Sequence, residues 1–193
     1  RGIKMTKLYK SNREEIDNVY IDKLTGIHDE RGWLMEIVRG SSPIFQHFGQ
    51  LYLTTTYDGA VKAWHSHKHQ IDHICCIKGM IKLVLLDMRL PQEVVDGDIS
   101  IPFEETTHGN LIDMFFGEKN PYLVVIPPGV LHGWKAYGGE TAYIVNIPSN
   151  EYDHNNPDEI RYRPDSEFTF GIETNKYGAG FLSYKYDWKR CDK

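Results

Sequence analysis

The chain has 193 residues, with 22 Lys and Arg against 27 Asp and Glu and a formal net charge of −5. It therefore lacks the basic footprint of a nucleic-acid binder, and any anionic ligand must be held by a few local cations. Hydrophobic residues make up 40% and charged residues 25%, an ordinary globular balance at a length that can bury a sizeable core. No apolar run approaches the roughly 18 residues of a membrane span, and the amino-terminal RGIKMTKLYK lacks the apolar stretch of a signal peptide. Cys75, Cys76 and Cys191 read as reduced thiols of a cytoplasmic protein.

In chain order, SNREEIDNV (11–19) predicts one or two helical turns capped by Ser11. QLYLTTTY (50–57) is a short β-branched strand. AVKAWHSH (60–67) alternates, which predicts Val61, Ala63, His65 and His67 on one face. DHICCI (72–77) and MIKLVLLDM (80–88) flank Lys78-Gly79 as a hairpin or a tight corner, and the neighbours Cys75 and Cys76 point to opposite faces, poorly placed to bridge each other. YLVVI (122–126) runs into PPG, where proline cannot donate to a ladder and glycine supplies unusual backbone angles. TAYIVNI (141–147) is a further strand, and from Pro148 the chain is polar and proline-punctuated, wrapping the barrel and packing its aromatics at the end. Twelve Tyr, eight Phe and four Trp suit a β-rich fold. The expected architecture is an all-β jelly-roll barrel with a few short helical turns, able to hold one small ligand. It forms one domain over 1–193, with a core at about 27–148 and a wrapping segment at 149–193.

HSHKHQIDH (65–73) holds four of the nine histidines. Gly59, His65-x-His67, Asp72 and Gly79, followed downstream by Pro127-x-Gly129 and His132, resemble the two-part signature of the cupin jelly rolls, with aspartate in place of the usual glutamate. Strand alternation would bring His65, His67, Asp72 and His132 to one point inside the barrel. Such a set suits Fe, Mn, Ni or Zn. It equally suits proton transfer, in which one histidine backed by a carboxylate is poised as a base near neutral pH. His69 in the turn and His73, which alternates away from Asp72, read as structural.

Further segments resemble the dTDP-4-dehydrorhamnose 3,5-epimerase family, a cupin branch acting on nucleotide sugars. DERGWLMEIV (29–38) looks like its D-x-R-G-x-x-x-E segment, and GAVKAWH (59–65) looks like its G-V-L-R-G-L-H segment, with Lys62 in place of arginine. KGMIKLVLLDMR (78–89), GEKNPYLVVIPPGVLHGW (117–134) and YDW (186–188) look like three later stretches, so the likeness spans roughly 27–188. It implies a cytoplasmic isomerase of dTDP-rhamnose-type carbohydrate biosynthesis that epimerises a dTDP-4-keto-6-deoxyhexose at C3, C5 or both. His65 matches the base, and Asp165 in RPDS is the best match to the aspartate that orients it. Arg31 and Lys62 match the cations that hold the diphosphate, Glu36 and Gln50 match further substrate contacts, and His132 matches the histidine of the H-G turn. The likeness also implies no cofactor, and a homodimer whose amino-terminal residues reach across.

Two positions depart from the pattern. The family's acid is a tyrosine where this chain has Val145, with Asn146 beside it; Tyr143, two residues earlier, is the substitute the strand offers. Asp72 stands where the family has a lysine. Three alternatives follow. One is a 3,4-ketoisomerase, which HSHK (65–68) also resembles. Another is a cupin enzyme using a divalent metal on His65, His67, Asp72 and His132. The last is a non-catalytic nucleotide-sugar binder.

Overall fold

The computed structural model describes residues 3–7, 15–90, 106–174 and 178–189. Ser11 and Cys191 lie outside the described residues. Every regular element among the described residues is a strand, so no helix there is long and apolar enough to cross a membrane. The expected helical turns are absent from that set: residues 15–19 form bends and turns. Ile16 is 1% exposed and anchors this segment in the core, while Asn18 takes a left-handed φ of 62°. That conformation ends a right-handed turn before it can propagate.

Two sheets make the body. The larger joins β1 (Ile3–Lys7), β6 (Val61–Ser66), β8 (Met80–Asp87), β9 (Asn110–Gly117), β11 (Val130–Tyr137) and β13 (Ile160–Arg161) in the order β1-β9-β8-β11-β6-β13. The smaller joins β2 (Tyr20–Lys23), β5 (Tyr52–Thr56), β7 (Asp72–Lys78), β10 (Tyr122–Ile126) and β12 (Ala142–Asn146) in the order β2-β10-β7-β12-β5. Two hairpins stand apart, β3 (Gly26–Asp29) with β4 (Gly32–Met35), and β14 (Glu167–Thr174) with β15 (Gly178–Lys185). All pairing is antiparallel, as in a jelly roll. Ile3 and Lys4, which precede Met5, pair with Met114 and Asp113.

The turn between β7 and β8 is a corner and not a hairpin, because the two strands belong to different sheets. Gly79 turns it at φ 70°, with Ala142 Cα and Thr141 O both 3.1 Å from where a Cβ would sit. A side chain there would be strained and crowded at once.

The core lies between the sheets: Ile81, Leu83, Leu85, Met114 and Phe116 from one meet Ile74, Cys76, Val124, Ile126 and Ile144 from the other. Cys75 faces the opposite side, with Leu123 and Val125. A second cluster lies outside the larger sheet, where Phe168, Phe170, Tyr186 and Trp188 pack on Trp64, Val84, Leu86 and Leu131. Trp64 sits at its centre, with ring centroids of Trp188, Phe168 and Tyr186 at 5.0, 5.7 and 5.9 Å. A Trp64→Ala variant is expected to lose about 3–5 kcal/mol, read from the denaturant midpoint; a loss below 1 kcal/mol would show that this cluster adds little.

Candidate active site

A bulge in β6 decides which side chains reach the interior. On β11, His132 pairs with His65 and Trp134 with Lys62, so three residues on β6 span what two span on β11. The extra residue shifts the alternation by one. Lys62 and His65 therefore share the inner face with His132 and Trp134, while Val61, Ala63 and Trp64 pack into the outer cluster. The face predicted for Val61, Ala63 and His65 together is corrected by this bulge, which strict two-residue periodicity does not reveal. Gly133 permits it: a Cβ there would lie 2.4 Å from Ala63 Cβ and 3.0 Å from Lys62 O.

Asp72 opens β7, 1% exposed, at the centre of a polar network. Gln70 Nε2 and Asn146 Nδ2 donate to its Oδ1 at 2.9 and 2.8 Å. Its Oδ2 lies 3.4 Å from His67 Nε2 and 3.2 Å from His132 Nε2. The His132 contact is close enough for an ion pair but is not aligned as a hydrogen bond. Both rings turn their other nitrogen to a main-chain carbonyl, His67 Nδ1 to Asp158 and His132 Nδ1 to Val130 at 3.0 Å. A carbonyl only accepts, so each Nδ1 carries the hydrogen and each Nε2 is aimed at Asp72. The Asp158 carboxylate accepts the backbone N–H groups of Lys68, His69 and Gln70, each at 2.9 Å, and pins the loop between β6 and β7.

His65 meets His132 and Trp134 edge-on, ring centroids 4.0 and 5.6 Å away. Burial, then the neighbouring His132, pushes its pKa well below the ordinary imidazole value, against the pull of Asp72. Burial would also lower His67, but the hydrogen bond and charge of Asp72 outweigh it and the net shift is upward. Burial would raise Asp72, but His132 and His67 hold it well below the usual carboxylate range. One ligand atom from each of His65, His67, Asp72 and His132 lies within 4.8 Å of the others. With Nε2 of two rings and a carboxylate oxygen converging, these residues fit a divalent cation as well as they fit a shared proton.

A cleft of about 700 Å³ opens in front of this network, between β5 on one sheet and β6 with β13 on the other. His65, Lys62 and Trp134 border it from the larger sheet, Tyr52 and Thr54 from the smaller, and Tyr152, Arg161 and Tyr162 from the carboxyl-terminal segment. Lys62 Nζ donates to Thr54 Oγ1 at 2.7 Å across the gap. Arg161 is paired with Glu159 at 2.7 Å.

Of the residues singled out in the sequence, His65, His67, Lys62 and Gln50 border the cleft, with Asp72 and His132 behind it. Asp165 does not join them: it is exposed and paired with Arg163 at 3.0 Å. The carboxylate beside the histidines is Asp72. Tyr143 points away from the core, toward Lys78, because Ala142, Ile144 and Asn146 take the inner face of β12. Arg31 sits exposed at the tip of the β3–β4 hairpin, paired with Asp29, and Glu36 pairs with Arg39 beside a separate, smaller cleft. His73 is structural, its Nδ1 on Ile147 O at 2.8 Å, and the His69 side chain is exposed. Sequence reasoning passed over Tyr52, Gln70, Asp158 and Arg161, and gave Asn146 no role. The alternation of YLTTT contained a signal for Tyr52, which shares a face with Thr54 and Thr56. Asp158 and Arg161 follow an irregular segment and carried no such signal.

No family model matches the chain. It is 33% identical over 160 residues to the spore coat polysaccharide biosynthesis protein SpsL of Bacillus subtilis, covering 83% of this chain and 97% of the relative. It is 34% identical over 148 residues to the probable low-salt glycan biosynthesis epimerase Agl13 of Haloferax volcanii, covering 76% and 86%. Among solved structures, a dTDP sugar isomerase from Desulfovibrio desulfuricans superposes with a TM-score of 0.64 at 26% identity over 77% of this chain and 85% of the other. A dTDP-4-dehydrorhamnose 3,5-epimerase from Elizabethkingia anophelis shares the fold with a TM-score of 0.59 at 20% identity over 83% and 80%. With the motifs, the cupin barrel and these relatives in agreement, the chain belongs to the dTDP-4-dehydrorhamnose 3,5-epimerase family, as a divergent member, and is an isomerase of the sugar-nucleotide epimerase class.

Proposed function

We propose that the protein epimerises a nucleotide-linked 4-keto-6-deoxyhexose, with His65 as the base that removes a proton next to the ketone. The observation that carries this reading is the His65 imidazole in the wall of a ligand-sized cleft with the buried Asp72 carboxylate behind it, and burial holds its pKa down so that it can act as a base. A cleft of about 700 Å³ falls within the range of about 300–1,000 Å³ typical of small-ligand sites. Lys62 and Arg161 border it as cations for a diphosphate, and Trp134, Tyr152 and Tyr162 supply aromatic surface. The names of the relatives, from spore-coat polysaccharide and glycan biosynthesis, support a role in carbohydrate assembly. The free thiols Cys75 and Cys76 suit a cytoplasmic setting.

Proton NMR with dTDP-4-keto-6-deoxyglucose in deuterium oxide tests the reading. The expected result is loss of the C3 or C5 proton signal; unchanged signals with folded protein would overturn it. A 3,4-ketoisomerase would instead move the ketone, visible as a new carbon resonance. Because the His65 pKa lies well below 6.5, kcat/KM is expected to hold through neutrality and fall only on acidification well below that value, where the base loses its lone pair. A fall already complete at pH 6.5 would contradict a depressed His65.

This reading requires no cofactor. The convergence of His67 Nε2, His132 Nε2 and Asp72 Oδ2 favours a second reading, in which a divalent cation is held there and polarises the substrate oxygen. Elemental analysis of protein purified without chelator separates the two: about one equivalent supports the cation, and a trace ends it.

A homodimer belongs to the same proposal. The β3–β4 hairpin exposes Ile27, Trp33 and Leu34 at 66%, 54% and 59%, more apolar surface than a free hairpin tolerates. A second copy packed there would receive Arg31 from its neighbour. Sedimentation of wild type and Trp33→Asp is expected to show dimer and monomer respectively, and a monomeric wild type would refute the assembly.

A further inference from the structure

Epimerisation needs a second group that protonates the enolate from the face opposite the base, and neither Tyr143 nor Asp165 borders the cleft. Resting on the epimerase reading above, we propose that Tyr52 is that acid. His65 stands on β6 of the larger sheet and Tyr52 on β5 of the smaller, so the two residues form facing walls of the one cleft. A sugar ring lying between them turns one face to each.

The hydrogen bonding of Tyr52 suits a donor. Asn146 stands directly opposite it in the β5–β12 ladder, and its Nδ2 donates to the phenol oxygen at 2.8 Å. With its oxygen accepting, the phenol O–H is free to donate into the cleft, and the same amide would stabilise the phenolate left behind. Asn146 is held in turn, its Nδ2 also on Asp72 Oδ1 at 2.8 Å and its Oδ1 accepting the His73 N–H at 3.0 Å. Burial and the nearby Asp72 charge raise the phenol to about 12, so it keeps its proton at neutral pH. Tyr152 and Tyr162 also border the cleft, but both lie on the carboxyl-terminal segment with their rings against His154 and Phe168.

The protons balance. His65 takes the proton from the carbon next to the ketone, the C–H pair becomes the enolate double bond, and the carbonyl π pair moves to oxygen. The pairs then return as that carbon takes the Tyr52 proton on its other face, and the O–H pair stays on the phenolate oxygen. Imidazolium and phenolate are reset by exchange with water. In the inner face of β12, asparagine thus occupies the ladder position beside the acid, and the acid itself is supplied by the neighbouring strand.

The test is Tyr52→Phe, assayed with dTDP-4-keto-6-deoxyglucose in deuterium oxide for exchange and for configuration of the product. The ring stays at the cleft wall while the Asn146 amide loses one acceptor, so a folded variant with a slightly lowered thermal midpoint is expected. Inversion is expected to fall about 10²–10⁴-fold while His65-dependent exchange persists with retention of configuration. Inversion at the wild-type rate would overturn the inference alone. Loss of exchange together with inversion would also overturn it, because Tyr52 would then bind substrate or support His65 instead of delivering the proton. A wild-type protein that neither exchanges nor inverts would overturn the epimerase reading itself, and with it this inference.

Discussion

A His65→Asn variant is expected to lose about 10²–10⁴-fold in proton exchange next to the ketone, the range supplied by one positioned acid or base. Asparagine keeps a polar side chain but has no nitrogen lone pair that can take a proton at neutral pH. The wild-type ring is suited to the task because burial and His132 keep it neutral, so almost every molecule carries a free lone pair. The Asp72 charge lies behind it and favours the imidazolium only once the proton has arrived. The fold should tolerate the change, since the ring touches His132 and Trp134 edge-on at 4.0 and 5.6 Å. Deuterium incorporation and a thermal midpoint on the same sample separate chemistry from folding. Exchange at the wild-type rate in a folded variant would remove His65 from the role of base.

Asp72→Asn is expected to act on both stability and turnover. The carboxylate accepts from Gln70 and Asn146 and faces two imidazoles while almost fully buried. An asparagine cannot accept at all four positions, and its amide N–H₂ would meet a neighbouring donor or displace one. A cost of about 3 kcal/mol follows from breaking a buried charged network, with about a 10²-fold loss of rate as the imidazolium loses its counter-charge.

The pH dependence of stability should change with it. In the wild type, the lowered Asp72 pKa contributes stability that is present above its ordinary 3.8 and is lost as pH falls through the lower folded value. The raised His67 pKa contributes stability that is fully present below its ordinary 6.5 and is lost as pH rises through the higher folded value. The depressed His65 works against folding below 6.5, where the unfolded chain takes up a proton that the folded one refuses. In Asp72→Asn, the two largest causes that raise His67 are gone, and only the Asp158 carbonyl and the Glu159 charge still oppose burial. The loss of stability on going from 6.5 to alkaline pH should therefore shrink, and the His67 resonances should titrate below their wild-type position. Thermal midpoints across that range, with the imidazole signals followed by NMR, check both. An unchanged His67 titration would show that Asp72 does not set its charge.

Much of this was legible in the residues themselves. Alternation located β6, and short apolar runs located β7, β8, β10 and β12, each within a residue or two; the latter four have one face in the core between the sheets. The spacing of His65, His67, Asp72 and His132 was enough to predict their meeting, since an inward face on β6 and the ends of β7 and β11 must converge in a closed barrel. What periodicity could not carry was the fine register. One additional residue in β6 turned Lys62 inward beside His65 and left Val61 and Ala63 in the outer cluster, and on β12 it was Asn146 rather than Tyr143 that faced Asp72. Local sequence determines that a strand exists and which residues are able to do chemistry. Which wall each side chain joins is a matter of bulges and cross-strand pairing, set by partners such as Gly133 and Tyr52 that lie far away along the chain. The family and its barrel were therefore determined by the sequence alone. That Asp165 stands apart from the histidines, and which side chains border the cleft, were decided only by the tertiary structure, because a shift of one residue reverses every face.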